Sequence, residues 1–323
     1  MSPAVSLCIP TFSRLNYLKE AVASARAQTF ADIEILIGDD GDSPELRAWC
    51  LAQAAEDARV HYHKTPRRLG LAGNWNFLAR LARGRFLNII GDDDRLLPTF
   101  VERLLGAAGP DTAVVFSNHF VIDSAGARLE AETRAFAERY GRSTLAPGPI
   151  DDAVLYFWRY TVPMSSSLAR SDDVQRFAFK EDINTPEPEL YGRMAAAGKQ
   201  FVFVADYLME YRVHPGSATV SGLTIDRLAE YLQELDVPAH AESAKRDHIQ
   251  PLALSGVSRR LARGDVAGAR ALAASRYYPS PMSNPRALLQ RLVLALPDVA
   301  VPGAYGALMR AKRLLKAARA RPS

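Results

Sequence analysis

Three consecutive carboxylates, Asp92, Asp93 and Asp94, follow the apolar run Phe86 to Ile90 after the single residue Gly91. Side by side such groups repel one another. A hard divalent cation relieves the repulsion and supplies charge that can hold phosphate oxygens. The plainer alternative is a solvated acidic turn ahead of the helix opened by Pro98, and the triplet alone does not choose between them. A second acidic pair, Asp39-Asp40-Gly41, ends the β-rich run Ile33 to Ile37. One of its carboxylates can accept from a base N–H, or the pair can simply serve a tight turn. Pro10-Thr11 closes a third run, Val5 to Ile9, where free backbone groups can meet a base or ribose.

The elements needed to hold these residues are legible as an alternation. Strand-like runs at Val5 to Ile9, Ile33 to Ile37, Val60 to His63 and Phe86 to Ile90 are separated by helical stretches. Leu15, Leu18, Val22 and Ala25 recur at helical spacing, Ser43-Pro44 reads as a cap and first helical position, and Asn74 to Arg83 ends at Gly84. Strands alternating with helices predict a parallel sheet covered on both faces. In an open α/β sheet ligands bind beyond the carboxyl ends of the strands, and all three acidic or polar ends above fall there. After residue 112 the pattern turns α+β. We expect a strand at Ala113 to Ser117, a hairpin over Phe120 to Leu129, a strand at Met164 to Leu168, helices near 150–160 and 186–197, and two further strands, Gln200 to Val204 and Tyr207 to Val213. From about Leu223 onward the chain reads as helices only, with Leu261 to Arg270 as a helix-turn-helix step. The division expected is therefore 1–112, 113–222 and 223–323.

Composition sets outer limits. Hydrophobic residues make up 48% and charged residues 24% of 323, which is ordinary for a globular chain and argues against disorder or a coiled coil. The two cysteines allow no disulfide framework or cysteine-rich metal site, and Cys8 reads as a core residue. The start MSPAVSLCIP does not read as a signal peptide and no run approaches a membrane span, so a cytoplasmic chain is expected. The net charge of +4 is outweighed by six basic residues in one stretch, Arg310, Lys312, Arg313, Lys316, Arg319 and Arg321. No nucleic-acid partner is therefore expected, and the locally basic tail needs its own explanation.

Taken in order, Val5-Ser-Leu-Cys-Ile-Pro-Thr11, Ile35-Leu-Ile-Gly-Asp-Asp-Gly41, Gly70-Leu-Ala-Gly-Asn-Trp-Asn76, Ala82-Arg-Gly-Arg-Phe86 and Gly91-Asp-Asp-Asp-Arg-Leu-Leu-Pro98, with Leu190 to Gly198 and Tyr211-Arg-Val-His-Pro-Gly-Ser217, carry a resemblance. The chain resembles the family 2 glycosyltransferases of GT-A fold, which are inverting and nucleotide-sugar dependent, over roughly residues 4 to 220. The resemblance implies a Rossmann-like nucleotide-binding sheet, an α+β acceptor region and, here, a helical C-terminal extension. It also implies a nucleotide-sugar donor, by default a UDP-sugar, and Mn²⁺ or Mg²⁺. It places Pro10, Thr11, Arg14 and Asp39 at the base and ribose, with Asp40, Asn76 and Asp92 in the same nucleotide-binding set. Asp93 falls where the family holds its metal, with Asp94 beside it and His214 in reach of metal or diphosphate; Arg212 falls near the diphosphate. The family's catalytic base precedes a Leu-aromatic-X-Arg helix, here Leu190-Tyr-Gly-Arg193. Spacing puts Glu187 at that position, with Asp182 as the second candidate. Glu replaces the usual Asp, and Pro186 and Pro188 flank it. Gly91 stands where the family often has an acid, and Asp42 where it often has a small hydroxyl residue.

The implied activity is transfer of a sugar to a growing surface polysaccharide or lipid-linked glycan. Leu308, Ala311, Leu315 and Ala318 lie near one face of a basic terminal helix, which fits peripheral contact with an anionic membrane surface at the cytoplasmic leaflet, or a helix that is merely solvated or packed. The rival activities are a sugar-1-phosphate nucleotidyltransferase, whose glycine-rich N-terminal loop is absent from Ile9 to Ser13, and an inactive transferase fold used for binding. Neither Gly-X-Gly-X-X-Gly nor Gly-X4-Gly-Lys is present, which argues against an oxidoreductase and a phosphate-loop NTPase.

Overall fold

The computed structural model describes residues 2–160, 162–214 and 224–319, with side chains described as far as residue 313. The chain divides into two compact units, residues 1–223 and 224–323. The first is built on a mixed sheet, nine-stranded among the described residues, in the order β3-β2-β1-β4-β8-β6-β9-β5, with β7 also paired to β9.

The first half of this unit follows the alternation. β1 (Val5–Thr11), β2 (Ile33–Asp39), β3 (Val60–Lys64) and β4 (Phe86–Ile89) pair in parallel. β1 and β2 are covered on both faces, which is why they read as continuous apolar runs rather than alternating ones. Between them α1 (Leu15–Arg26) buries Leu18, Ala21, Val22 and Ala25, the i, i+3, i+4, i+7 stripe of an amphipathic helix. α2 (Pro44–Glu56) opens as expected, with the Ser43 hydroxyl accepting from Leu46 N at 3.3 Å. α3 (Gly70–Leu81) starts a turn earlier than its apolar spacing suggested. Cys8 is buried in the core.

In the second half β5 (Arg95–Leu96), α4 (Phe100–Ala107), β6 (Thr112–Ile122), α5 (Glu130–Arg139), β7 (Gly148–Pro149), α6 (Ala153–Arg159), β8 (Ser167–Arg170), α7 (Ser171–Phe177), α8 (Glu187–Ala196) and β9 (Gln200–Arg212) complete the unit. The expected hairpin at Phe120 to Leu129 shrinks to a turn closed by one bridge, Ile122 to Arg128, and α5 begins at once. Glu130 and Glu132 in its first turn and Arg139 in its last complement the helix dipole. The two strands expected between Gln200 and Val213 are one. The interruption at Ala205-Asp206 is absorbed by register shifts against β6, and the Asn118 side-chain amide donates to the Ala205 carbonyl at 2.8 Å.

The second unit contains α9 (Ile225–Glu234), α10 (Glu242–Ala262), α11 (Val266–Ala273), α12 (Pro285–Leu294) and α13 (Val301–Arg319). The expected step between α10 and α11 is present, with Asp265 accepting from Gly268 N at 2.9 Å as the cap. Asp226, buried on α9, is held by Arg260 at 3.1 Å and Arg263 at 2.6 Å. Among the described residues no helix is long and apolar enough to cross a membrane.

Candidate active site

β1, β2 and β4 are parallel, so Thr11, Asp39 and the Asp92 to Asp94 turn share one sheet edge. β4 runs antiparallel to β8, β8 antiparallel to β6, and β6 parallel to β9, which brings the end of β9 and His214 to that edge as well. The sheet therefore assembles residues from opposite ends of the first unit.

At the centre lies Arg14, the residue before α1. Its guanidinium bonds Asp92, reaches Asp93 Oδ2 at 2.7 Å, and stands 3.1 Å from His214 Nε2. His214 Nε2 is also 2.9 Å from the same Asp93 oxygen, and its ring packs on Tyr17 at 5.2 Å. Thr11 donates its hydroxyl to Asp92 Oδ2 at 2.7 Å. Burial works against the Arg14 charge, but Asp92 and Asp93 outweigh it and hold its pKa above the usual value. Burial pushes the Asp92 carboxyl up to about 6 despite the neighbouring Arg14. Asp94 is pushed well above the carboxylate range by burial and then by the Asp93 charge, although Arg212 N–H donates to its Oδ1 at 2.9 Å. The turn thus crowds three carboxylates, of which Asp92 and Asp94 are raised first by burial.

The chemistry of this turn tests whether a cation fits. A Cβ at Gly91 would lie 2.6 Å from Asp93 Oδ1 and 3.2 Å from Asp94 Oδ2, so two carboxylates converge over the one position without a side chain. Carboxylate oxygens with one imidazole suit Mg²⁺ or Mn²⁺, which commonly take one or two protein carboxylates and complete their shells with substrate phosphates. Among the described residues no group of three or more His, Cys, Asp or Glu side chains is arranged to hold a metal ion. The donors present would therefore fit only an open site, one completed by ligands from outside the chain.

Other residues named from the sequence have different neighbours. Asp39 is buried, its Oδ1 accepting from Gly41 N at 2.9 Å and its Oδ2 from the Tyr62 hydroxyl at 2.8 Å. Asp40 accepts from Thr65 Oγ1 at 2.9 Å, Leu69 N at 2.7 Å and Gly70 N at 2.8 Å, so its carboxylate braces the start of α3. Asn76 donates to the Phe179 carbonyl at 2.9 Å and to Glu181 at 3.0 Å, and accepts from Phe179 N at 2.8 Å. Its amide fixes the loop ahead of α8. Pro10, the last residue but one of β1, pairs with Gly38 of β2. The Arg212 side chain is fully buried, donating to the carbonyls of Asp93 at 2.6 Å and Ser124 at 3.2 Å and pairing with Glu20 at 2.6 Å. It therefore fixes the turn of acids from behind. Residues 215–217 of the last family-like motif lie outside the described residues.

Of the two base candidates, Asp182 is exposed on the loop, whereas Glu187 is the half-buried first residue of α8. Burial pushes the Glu187 carboxyl up to about 7, only partly offset by its own backbone N–H. Its charge is felt by Tyr191 one turn on, whose hydroxyl meets Ser167 Oγ at 2.7 Å and Met164 Sδ at 3.3 Å. Ser165, in the same short segment, hydrogen-bonds Asp94. Glu187 is thus tied to the acidic turn through Tyr191 and residues 164–167. No spacing in the sequence announced Tyr191 or Tyr62 in these roles.

With this geometry in view, comparisons with known proteins are informative. The model of the family "Glycosyl transferase family 2" matches residues 6–162, just under half of the chain. An undecaprenol-linked GalNAc(5)-diNAcBac β-1,3-glucosyltransferase of Campylobacter jejuni is 32% identical over 117 residues, covering 36% of this chain and 38% of that protein. Glycosyltransferase GlyG of Streptococcus pneumoniae is 29% identical over 124 residues, covering 38% and 41%. The chain thus matches well under half the length of these relatives. Among solved structures, S. aureus TarS 1-349 with UDP-GlcNAc superposes with a TM-score of 0.66 at 13% identity, covering 97% of this chain and 92% of that one. The mannosyltransferase PcManGT of Pyrobaculum calidifontis, with GDP-Man and Mn²⁺, gives 0.60 at 14% identity, covering 96% and 86%. The fold is GT-A, and residues 6–162 are similar to glycosyltransferase family 2.

Proposed function

We propose that this chain is an inverting glycosyltransferase that moves a sugar from a nucleotide-diphosphate sugar, a UDP-sugar first, to a hydroxyl of a surface polysaccharide or lipid-linked glycan. The observation that carries the reading is the cluster of Thr11, Arg14, Asp92, Asp93 and His214 at the shared sheet edge. The Campylobacter relative, named for an undecaprenol-linked acceptor, supports the lipid-linked class.

In this reading Pro10, Thr11 and Asp39 line the base and ribose, and Arg14 and His214 face the diphosphate. Asp93 and Asp94, with His214, would hold Mn²⁺ or Mg²⁺, which supplies positive charge to the departing nucleotide. Arg14 shares that task, because its guanidinium already lies between the carboxylates and carries a charge-assisted fork suited to phosphate. Glu187 accepts the proton of the acceptor hydroxyl as that oxygen bonds the anomeric carbon and the bond to the diphosphate breaks on the opposite face. A carboxyl poised near 7 suits this role better than the exposed Asp182. A cytoplasmic chain with peripheral membrane contact completes the proposal. Exposed Leu288, Leu289 and Leu292 on α12 beside Arg286 and Arg291 support such a contact more directly than the basic terminal helix, in which Lys316 and Arg319 have side chains outside the described residues and Arg321 lies outside them altogether.

Thermal unfolding with UDP, GDP and dTDP, each with and without Mn²⁺, tests the proposal. A nucleotide at about 100 times its dissociation constant adds about 2.7 kcal/mol, enough to raise the midpoint by several degrees. A rise for UDP that needs Mn²⁺ is expected. A rise without metal assigns the diphosphate to Arg14 alone, and no rise with any nucleotide in folded protein favours an inactive, binding-only fold.

A further inference from the structure

Arg142 follows α5 and is only 3% exposed, yet its Nε and Nη1 are buried without a hydrogen-bond partner among the described residues. Its surroundings are aromatic. The guanidinium stands 5.4 Å from the Tyr140 ring, with Tyr156 and Tyr207 near enough to act on its charge. Burial lowers its pKa to about 10, which still leaves it charged at neutral pH. A buried charge without a counter-charge is among the costliest features a fold can carry.

Beside it lies His119, also buried, with neither ring nitrogen bonded and its ring 6.0 Å from Phe136 and 5.6 Å from Tyr211. Burial and the Arg142 charge keep it neutral. Two adjacent polar side chains therefore hold unused hydrogen-bonding capacity inside an apolar wall. Tyr140 and Tyr207 are only half-buried, so the cover over the guanidinium reaches solvent.

The position of this pair is informative. Phe201 and Phe203 alternate along β9 and so share a sheet face. Phe201 packs on Tyr191 of α8 at 5.9 Å. Phe203 packs on Phe116, its partner in β6, at 5.3 Å, and Phe116 on Tyr156 of α6 at 5.8 Å. Arg142 and Glu187 thus lie over the same sheet face.

We propose that Arg142 and His119 form a binding site for an oxyanion carried by the acceptor, a phosphate or a carboxylate. A guanidinium with free donors on two nitrogens matches such a group in charge and geometry, and His119 supplies a further neutral donor. Assigning the anion to the acceptor rests on the transferase reading; the binding itself does not.

The test is thermal unfolding of the full chain with inorganic phosphate, glucuronate or geranyl diphosphate, in the wild type, Arg14→Gln and Arg142→Met. A saturating anion raises the midpoint by about several degrees, the rise persists in Arg14→Gln, and it is lost in Arg142→Met. A response to both phosphate compounds assigns the phosphate itself, to geranyl diphosphate alone a lipid headgroup, and to glucuronate alone an acidic sugar. Without anion, Arg142→Met unfolds at or above the wild-type temperature, because it removes an unpaired buried charge. No anion response, a response unchanged in Arg142→Met, or an Arg142→Met chain that unfolds far below the wild type or does not fold overturns the proposal. None of these readouts uses sugar transfer, so an inactive chain leaves the test intact.

Discussion

The two parts of the sheet treat their buried charges differently. Around β1 to β4 each buried carboxylate has donors at hand. Glu34 takes Ser6 and Arg83, Asp39 takes Tyr62, Asp40 takes Thr65 and two backbone amides, and Asp92 takes Thr11 and Arg14. Around β6, α5 and α6 the buried Arg142 and His119 have none among the described residues. The buried carboxylates of the first region are thus partnered within the chain, while the buried cation and imidazole of the second are not. The physical lesson is one of pre-organisation. Partnered carboxylates are held in place before a ligand arrives, whereas unpartnered buried groups gain most from a ligand that satisfies them.

The largest effect that separates the two regions is expected at Glu187. Glu187→Gln should bind nucleotide as the wild type does and lose roughly 10²–10⁴-fold in turnover, the usual worth of a positioned base. Full turnover would move the base to Asp182. The wild-type rate should rise with pH through about 7 as the carboxyl ionises. The stability consequence has the opposite sense. A carboxyl raised in the folded state contributes stability below its unfolded pKa, and that contribution is lost as pH rises through about 7. Above that pH Glu187→Gln should therefore unfold at a higher temperature than the wild type, with the difference vanishing below pH ~4.5. Equal unfolding temperatures across that range would show that the carboxyl is not raised.

Next in size is a contrast within the acidic residues. Asp40→Ala leaves two backbone amides at the start of α3 without their acceptor, at a cost of about 2–3 kcal/mol. For a unit of this size that lowers the melting temperature by roughly 5–10 °C. Asp93→Ala relieves repulsion in the turn and should leave stability near the wild type while abolishing metal-dependent UDP binding. A destabilised Asp93→Ala, or retained metal-dependent binding, would remove Asp93 from the ligand set.

How much of this was legible follows from what each residue does. Strands β1, β2 and β4 are buried on both faces, so their apolar runs are unbroken and their polar ends stand out. That is why Thr11, Asp92 and Asp93 could be named from the strand ends, whereas Arg14 and His214 are named through the family resemblance, and the fold brings all five together. Asp40 and Asn76 belong to the same motifs, yet their side chains serve α3 and the loop at Phe179. A carboxylate or amide at a strand or helix end is written identically whether it faces a ligand or the backbone. Helix α5 was missed because it buries only Thr133 and Ala137, too little for a periodic signal. The break in β9 was overread because a side chain far along the chain, Asn118, repairs it. Arg142 and His119 carry no spacing signal, since their meaning lies in the lack of partners within a packed interior.

The smallest expected effect lies at Gly91, the position where the acidic turn departs from the family pattern. The added methyl of Gly91→Ala would stand 2.6 Å from Asp93 Oδ1 and 3.2 Å from Asp94 Oδ2. Contacts under 3 Å cannot persist, and Asp94 is anchored by Arg212 N–H while Asp93 is at the surface of the cluster. Asp93 is therefore the group that moves. Its shift leaves the paired carboxylates of the first region intact, so melting temperature should fall by less than about 2 °C, a change worth about 1 kcal/mol or less. Affinity for UDP with Mn²⁺ should weaken by roughly tenfold, the equivalent of about 1.4 kcal/mol, while UDP binding without metal stays the same. Titration of UDP at fixed Mn²⁺ and in its absence separates the two. Equal weakening in both conditions would mean that Gly91 shapes the nucleotide pocket itself and that Asp93 has no special tie to the cation.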